Sequence, residues 1–234
     1  MKKQSKRIRH QLHRVGSVGV IEPRIAFHLL RSLELDLPHG VRPCRFDQTV
    51  SLCARLGIDP RQADQIVRGS IVLPNGIGRS QRVVVFAQGD ASAAAIAAGA
   101  DAVGGKDLAD RIRAGWVDFD VAIASVEMMG IVGPLGKILG PRGLMPSAKA
   151  GTVTQDVASV VREYKAGKVE FRCDSGGNVN CVIGKLSFSE DQLLENFESL
   201  LKYLRTLKPS TSKGQYFRRV VVAATMTPSV NVSV

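Results

Sequence analysis

Between residues 130 and 153 the chain reads GIVGPLGKILGPRGLMPSAKAGTV. Glycines at 130, 133, 136, 140 and 143 are interleaved with Lys137, Arg142 and Lys149. Glycine-rich runs of this kind can wrap a phosphate, because backbone N–H groups reach an anion only where no side chain intervenes. The first chemistry to test is therefore nucleotide binding. A Walker A loop needs G-x-x-x-x-G-K-[ST], yet Ile131 stands where the first glycine belongs and Ile138 follows Lys137, so Mg2+ would have no hydroxyl ligand. The other Gly-Lys pair, Gly105–Lys106, has Ala100 at the first position and Asp107 after the lysine. A dinucleotide fingerprint must follow the first strand of its fold, and VVVFAQGDASAAA supplies only Gly89 there. No G-x-S-x-G, H-E-x-x-H or Cys–His pairing occurs. The nearby carboxylates Asp118 and Asp120 read as a solvated turn before a strand rather than an acid–base pair. The loop is expected to be a bend and surface loop, and the chain is expected not to be an enzyme and to need no cofactor.

Cys44, Cys53, Cys173 and Cys181 form no C-x-x-C pair, and all four histidines fall within the first 39 residues. That spacing argues for reduced thiols and against a metal site. A formal charge of +11 favours a polyanionic partner, since each neutralised phosphate releases a counterion. No apolar run reaches the ~18 residues of a membrane span. Before the first acidic residue, Glu22, come Lys2, Lys3, Lys6, Arg7, Arg9 and Arg14, with Ile8, Leu12 and Val15 at helical spacing. This segment reads as an RNA-contacting basic arm, with organellar targeting as the alternative to a cytoplasmic location.

The elements that must position these groups follow from periodicity. TVSLCARL (49–56) alternates as a strand, and GSIVLPNGIG (69–78) is a second strand closed by a turn. RVVVFAQGD (82–90) is a buried parallel strand, followed by an Ala-rich helix over 91–100, a helix over 106–114 and a strand over 119–125. A helix through MMGIVGPLGKIL closes the series. KVEFRCDSGGNVNCVIGK (168–185) is expected to be a hairpin turned at Asp174–Gly177. Ser189 and Gln192 suit a capping box for a helix bearing Leu193, Leu194, Phe197, Leu200, Leu201 and Leu204 on one face. FRRVVVAATM (217–226) is the last strand.

Charge divides the chain along the same lines. Residues 77–166 hold 10 Lys/Arg and 9 Asp/Glu, whereas residues 1–76 hold 13 and 6 and residues 167–234 hold 9 and 6. The fold class is therefore α/β with two domains. A split α+β terminal domain (1–76 plus 167–234), expected to carry the RNA, is interrupted by a nearly neutral Rossmann-like α/β insert (77–166).

Three stretches carry a specific resemblance: LGIDPRQADQIVRGSIVLPNGIGRSQRV (56–83), GKILGPRGLMPSAKAGTVT (136–154) and AATMTPS (223–229). They are similar to the ribosomal protein L-one family, of bacterial type, over nearly the whole chain from about residue 45. The first 44 residues match less well, and 36–44 looks like a local insertion. The resemblance implies a structural constituent of the large ribosomal subunit that binds ribosomal RNA at the mobile stalk as a monomer and assists release of deacylated tRNA from the exit site. It also implies a translational repressor of its own mRNA leader. A nucleotide-dependent enzyme built on the insert is the rival. The family's two RNA-gripping strand ends are similar to RFDQT and TMTPS, which carries roles to Arg45, Phe46, Thr49, Thr225, Met226 and Thr227, and Arg55, Lys168 and Arg172 are further expected RNA contacts. Lys137, Arg142 and Lys149 become secondary RNA or tRNA contacts. Threonine hydroxyls suit ribose 2′-OH groups, while Phe46 and Met226 suit sugars or bases. The family usually has Lys at Arg45, Gly at Thr227 and an acidic residue at Ser51, and Ser147–Ala148 also departs from its pattern.

Overall fold

Strand formation in the computed structural model, which describes residues 5–234, follows from alternation where one face is buried and from continuous apolarity where both are. In chain order the helices are α1 (Lys6–Gly16), α2 (Pro23–Leu35), α3 (Asp90–Ala97), α4 (Lys106–Arg113), α5 (Met129–Val132), α6 (Gly136–Leu139), α7 (Val157–Ala166) and α8 (Glu190–Thr206). The strands are β1 (Thr49–Leu56), β2 (Arg68–Val72), β3 (Val83–Phe86), β4 (Ala102–Gly104), β5 (Val121–Ala124), β6 (Lys168–Arg172), β7 (Asn178–Lys185), β8 (Phe217–Ala224) and β9 (Val230–Val232). The result is a mixed α/β protein with several sheets. Its contacts divide it into two compact units.

The first unit holds residues 1–67, 73–78 and 171–234. Its sheet runs β7-β1-β8-β9, antiparallel throughout. Val50, Leu52, Ala54 and Leu56 point to one side with Val220, Val222 and Ala224, and α2 and α8 cover them. Phe27 of α2 meets Phe197 of α8 edge to face, with ring centroids 5.8 Å apart. The capping box forms as expected: the Ser189 hydroxyl accepts from Gln192 N, and the Gln192 side chain accepts from Ser189 N. Leu194 is only half-buried, and Asn196 takes a core place instead, donating to the carbonyls of Gly76 and Ile183.

Two expectations for this unit need correction. The turn at Asp174–Gly177 exists, but β6 and β7 do not form one hairpin; they touch through a single bridge, Cys173–Val179. β6 pairs with β2, while β7 pairs with β1. Two adjacent strands compete for partners, and the ladders offered by β1 and β2 win. The basic arm is also less available than its composition suggests. Lys2 and Lys3 lie outside the described residues, but Arg7 contacts Cys44 Sγ and Glu34, Arg14 donates to Ser32 and Asp36, and Gln11 is buried against the Leu33 carbonyl. Helix α1 thus lays its polar side on α2.

The second unit holds residues 68–72 and 79–170. The sequence reading placed 68–72 with the terminal residues, whereas the Ser70 hydroxyl bonds the Ala150 carbonyl at 2.9 Å and Arg68 pairs with Glu170 at 2.7 Å. Its main sheet is β4-β3-β5, parallel, and all four residues of β3 are buried. Val84 and Phe86 face α4 and the turns through Leu139, while Val83 and Val85 face Ala95, Val157, Val161 and Tyr164. Burial on both faces is what a continuous VVVF run requires.

The stretch after β5 is not one helix. Pro134 and the glycines divide it into α5, α6 and single 3-10 turns. Nor is it merely a surface loop, because Val132, Leu135 and Leu139 are fully buried in the core beside β3. A Cβ on Gly140 would stand 2.5 Å from the Gly136 carbonyl oxygen, so glycine is required where these turns close on themselves.

Candidate nucleic-acid interface

Strand β1 begins at Thr49, between β7 and β8, and the sequence-assigned residues gather at that end of the sheet. Thr49 N donates to Thr225 Oγ1 at 3.1 Å, and the Thr225 hydroxyl donates to the Thr49 carbonyl at 3.3 Å. These bonds knit the segment before β1 to the turn after β8. Phe46 is 54% exposed and Met226 41% exposed. Neither is a core residue, and both stand beside the polar Thr49–Thr225 pair. Arg45 is exposed in the same segment.

The two hydroxyls differ in what they have left to offer. Thr49 Oγ1 accepts from Lys185 Nζ at 2.8 Å, so its proton remains available to a new acceptor. Thr225 Oγ1 has spent its proton and one lone pair, so it can still accept. A ribose 2′-OH, both donor and acceptor, matches either one. Thr227 is different. Its hydroxyl accepts from Ala224 N at 2.9 Å and its own N–H donates to the Ala224 carbonyl at 3.1 Å, so the side chain closes its own turn.

Three residues of this end escaped sequence reasoning. Lys185 faces Thr49 across the ladder, a neighbour that only strand pairing reveals. Gln48 is 1% exposed; its Oε1 accepts from Met226 N at 2.9 Å, while its Nε2 has no partner. It lies inside the quoted RFDQT motif, and the inward alternation that buries Val50 could have singled it out. Asp47 accepts from Ser187 N and from the Ser187 hydroxyl, the latter at 2.7 Å, which holds the segment before β1 to the one after β7. Beside these groups is a cavity of about 170 Å3 lined in part by Arg31, Leu35, Phe46 and Gln48. That is smaller than the ~300 Å3 at which ligand pockets begin.

The remaining assigned cations are not brought here. Arg55 is six residues along β1 from Thr49, roughly 20 Å away at strand rise. Arg172 is exposed at the end of β6. Lys168 is 9% exposed, belongs to the second unit and pairs with Glu163 at 2.6 Å, with its ammonium over the Tyr164 ring. Its charge is offset inside that unit, away from the Thr49 cluster. Lys137, Arg142 and Lys149 are exposed on the second unit. Among the described residues no group of three or more His, Cys, Asp or Glu is placed to hold a metal. Burial raises the Cys181 thiol to about 12, as expected of an inert core cysteine.

Comparison with known proteins adds an independent line. A model of the ribosomal protein L1p/L10e family matches residues 39–228. The chain is 54% identical to the large ribosomal subunit protein uL1 of Rhodopirellula baltica over the full length of both. It is 52% identical to that of Renibacterium salmoninarum, over 84% of this chain and 83% of the relative. With that of Syntrophobacter fumaroxidans it shares 50% identity over 85% of each.

Proposed function

The chain belongs to the ribosomal protein L1p/L10e family, a family of ribosomal proteins rather than enzymes, and from that premise we propose that it is a structural constituent of the large ribosomal subunit. It holds large-subunit ribosomal RNA through its first unit, at the stalk, in the cytoplasmic ribosome. The observation that carries this reading is the convergence of exposed Phe46 and Met226 on the Thr49–Thr225–Lys185 cluster. Outward aromatic and thioether groups supply packing on bases or sugars, hydroxyls supply 2′-OH partners, and Arg45 and Lys185 supply charge.

The second unit takes the Rossmann-like role of a body inserted into the first, split one. Its exposed Lys137, Arg142 and Lys149 meet RNA or the exit-site tRNA, whose release it assists. The same RNA surface would serve a repressor role on a leader in the chain's own messenger, if that leader presents the same shape. The rival, a nucleotide-dependent enzyme, predicts saturable binding of ATP or NAD; this reading predicts none.

Binding of a stalk fragment of large-subunit ribosomal RNA, measured beside a DNA of the same sequence, tests the proposal. The RNA is expected to bind at least tenfold more tightly, because only RNA offers 2′-OH groups. Hydroxyl-radical footprints should map to one compact RNA region. Equal affinity for the two nucleic acids would overturn the assignment of the threonines.

A further inference from the structure

At the opposite end of β8 the first unit carries a second feature that the Thr49 cluster does not use. Two adjoining hollows of about 440 and 280 Å3 share Gln215, the half-buried Phe217 and Val234. Arg218 and Arg219 line the larger, Arg205 and Lys208 the smaller, and no acidic side chain lines either. Among the described residues none of these four cations joins an ion pair. The Arg205 guanidinium stands 5.8 Å from the centroid of the Phe217 ring. Arg219 bonds only the neutral Asn231, at 2.7 Å, which leaves other guanidinium N–H groups open. Across the ladder Arg219 faces Arg55 directly. Like charges in that position destabilise a sheet unless an anion offsets them.

An aromatic ring bordered by cations that join no ion pair is a pattern that can hold unpaired nucleotides. Bases stack on the ring whatever their identity, and the cations track the phosphates. From Phe217 to Ala224 is seven strand steps, about 24 Å, so this feature is separate from the Thr49 cluster. We infer that the Phe217 groove is a second RNA-binding surface, one that takes a single-stranded RNA segment rather than a folded one. The inference rests on the RNA-binding reading above only in taking RNA as the polyanion.

The test uses the full chain and a fluorescently labelled twelve-nucleotide oligouridylate, which has no structure for the Thr49 cluster to recognise. Replacing three cations (Arg205→Gln, Lys208→Gln, Arg218→Gln) should weaken binding at least tenfold. It should also lower the slope of log affinity against log salt by about two, for three lost phosphate contacts. Phe217→Leu keeps an apolar side chain beside Tyr216 and should weaken binding about fivefold or more through lost stacking. Photocrosslinking should place the oligonucleotide on the peptide holding residues 215–219. If Phe217→Leu fails to fold, the triple exchange of surface cations still decides. An unchanged affinity in the triple variant, or crosslinks confined to the peptides of Phe46 and Met226, would overturn the inference. So would a twelve-residue polyglutamate peptide that displaces the RNA at equal concentration, because the groove would then read charge alone. A chain that crosslinks at residues 215–219 yet binds no stalk RNA would support this groove and sink the reading of the Thr49 cluster.

Discussion

The two units spend their charges in opposite ways. The first holds 20 Lys/Arg against 11 Asp/Glu, and of its 18 cations among the described residues only Arg7, Arg14 and Arg24 join ion pairs. The second holds 12 against 10, and Arg68, Arg79, Arg82, Arg113, Lys165 and Lys168 are all paired internally. Sheet type differs in the same sense. The first unit's antiparallel sheet is covered by α2 and α8 on one side and ends in exposed side chains. The second unit's parallel sheet is buried on both faces. A unit whose cations are unpaired presents a field to a polyanion, whereas one whose cations are paired uses them to hold itself together.

The largest expected effect breaks one unit and asks whether the other notices. Leu139 is fully buried in the second unit, so Leu139→Ala should cost about 2–5 kcal/mol of that unit's stability. The chain's single tryptophan, Trp116, packs on Phe119 in the same unit and reports its melting directly. Affinity for isolated stalk RNA should stay within about threefold. Simultaneous loss of both would show that the units are not separable.

Next in size is the exposed pair of the first unit. Phe46→Ala and Met226→Ala should each weaken stalk-RNA binding by about 1–3 kcal/mol, the range of a lost stacking contact. Calorimetric melting should be unchanged, because neither side chain is in the core.

Acid sharpens the comparison further. In the second unit burial opposes ionisation of Asp120, but bonds from Arg82 and the nearby Arg79 outweigh it and hold the carboxyl below the usual range. Asp101 behaves likewise: burial opposes, and the bonds from Lys165 and Val83 N win. Asp107 and Asp156 are lowered by hydrogen bonds from Gly105 N and Ser159 respectively. In the first unit Asp174 is lowered, by bonds from Asn178. A carboxyl whose folded value lies below its unfolded one stabilises fully above the unfolded value and loses that stabilisation as pH falls through the folded one. The second unit should therefore weaken more steeply than the first below about pH 4. Trp116 emission during acid titration should show this, and Asp120→Asn should shrink the stability difference between neutral and acid pH.

The smallest expected effect concerns the glycine-rich segment. Neutralising Lys137, Arg142 and Lys149 together should leave affinity for isolated stalk RNA within tenfold in filter binding, since all three lie on the second unit. A larger loss would move the main RNA surface there and reverse the comparison.

Local chemistry explains what the chain alone made legible. The alternation in TVSLCARL placed β1 over 49–56, the serine–glutamine pair started α8, and four apolar residues without a polar break marked β3 as buried on both sides. Each of these signals lies within a few residues of the structure it sets. The motif resemblance likewise pointed to Phe46, Thr49, Thr225 and Met226, whose exposure the alternation could not state. Much of what tertiary structure decided involves partners far apart in the chain. Lys185 meets Thr49 across 136 residues, and Gln48 reaches Met226 N across 178. No periodicity encodes such distances; they follow from which strands win each other as ladder partners. The same competition drew β6 to β2 and left Arg55 opposite Arg219. Lys168 shows the limit most clearly. In sequence it is one more cation in a strand, and whether it faces an RNA or a carboxylate depends on Glu163, five residues earlier near the end of α7, turning its side chain to the same place. Charge and spacing are properties of the chain, but the partner of a charge is a property of the fold.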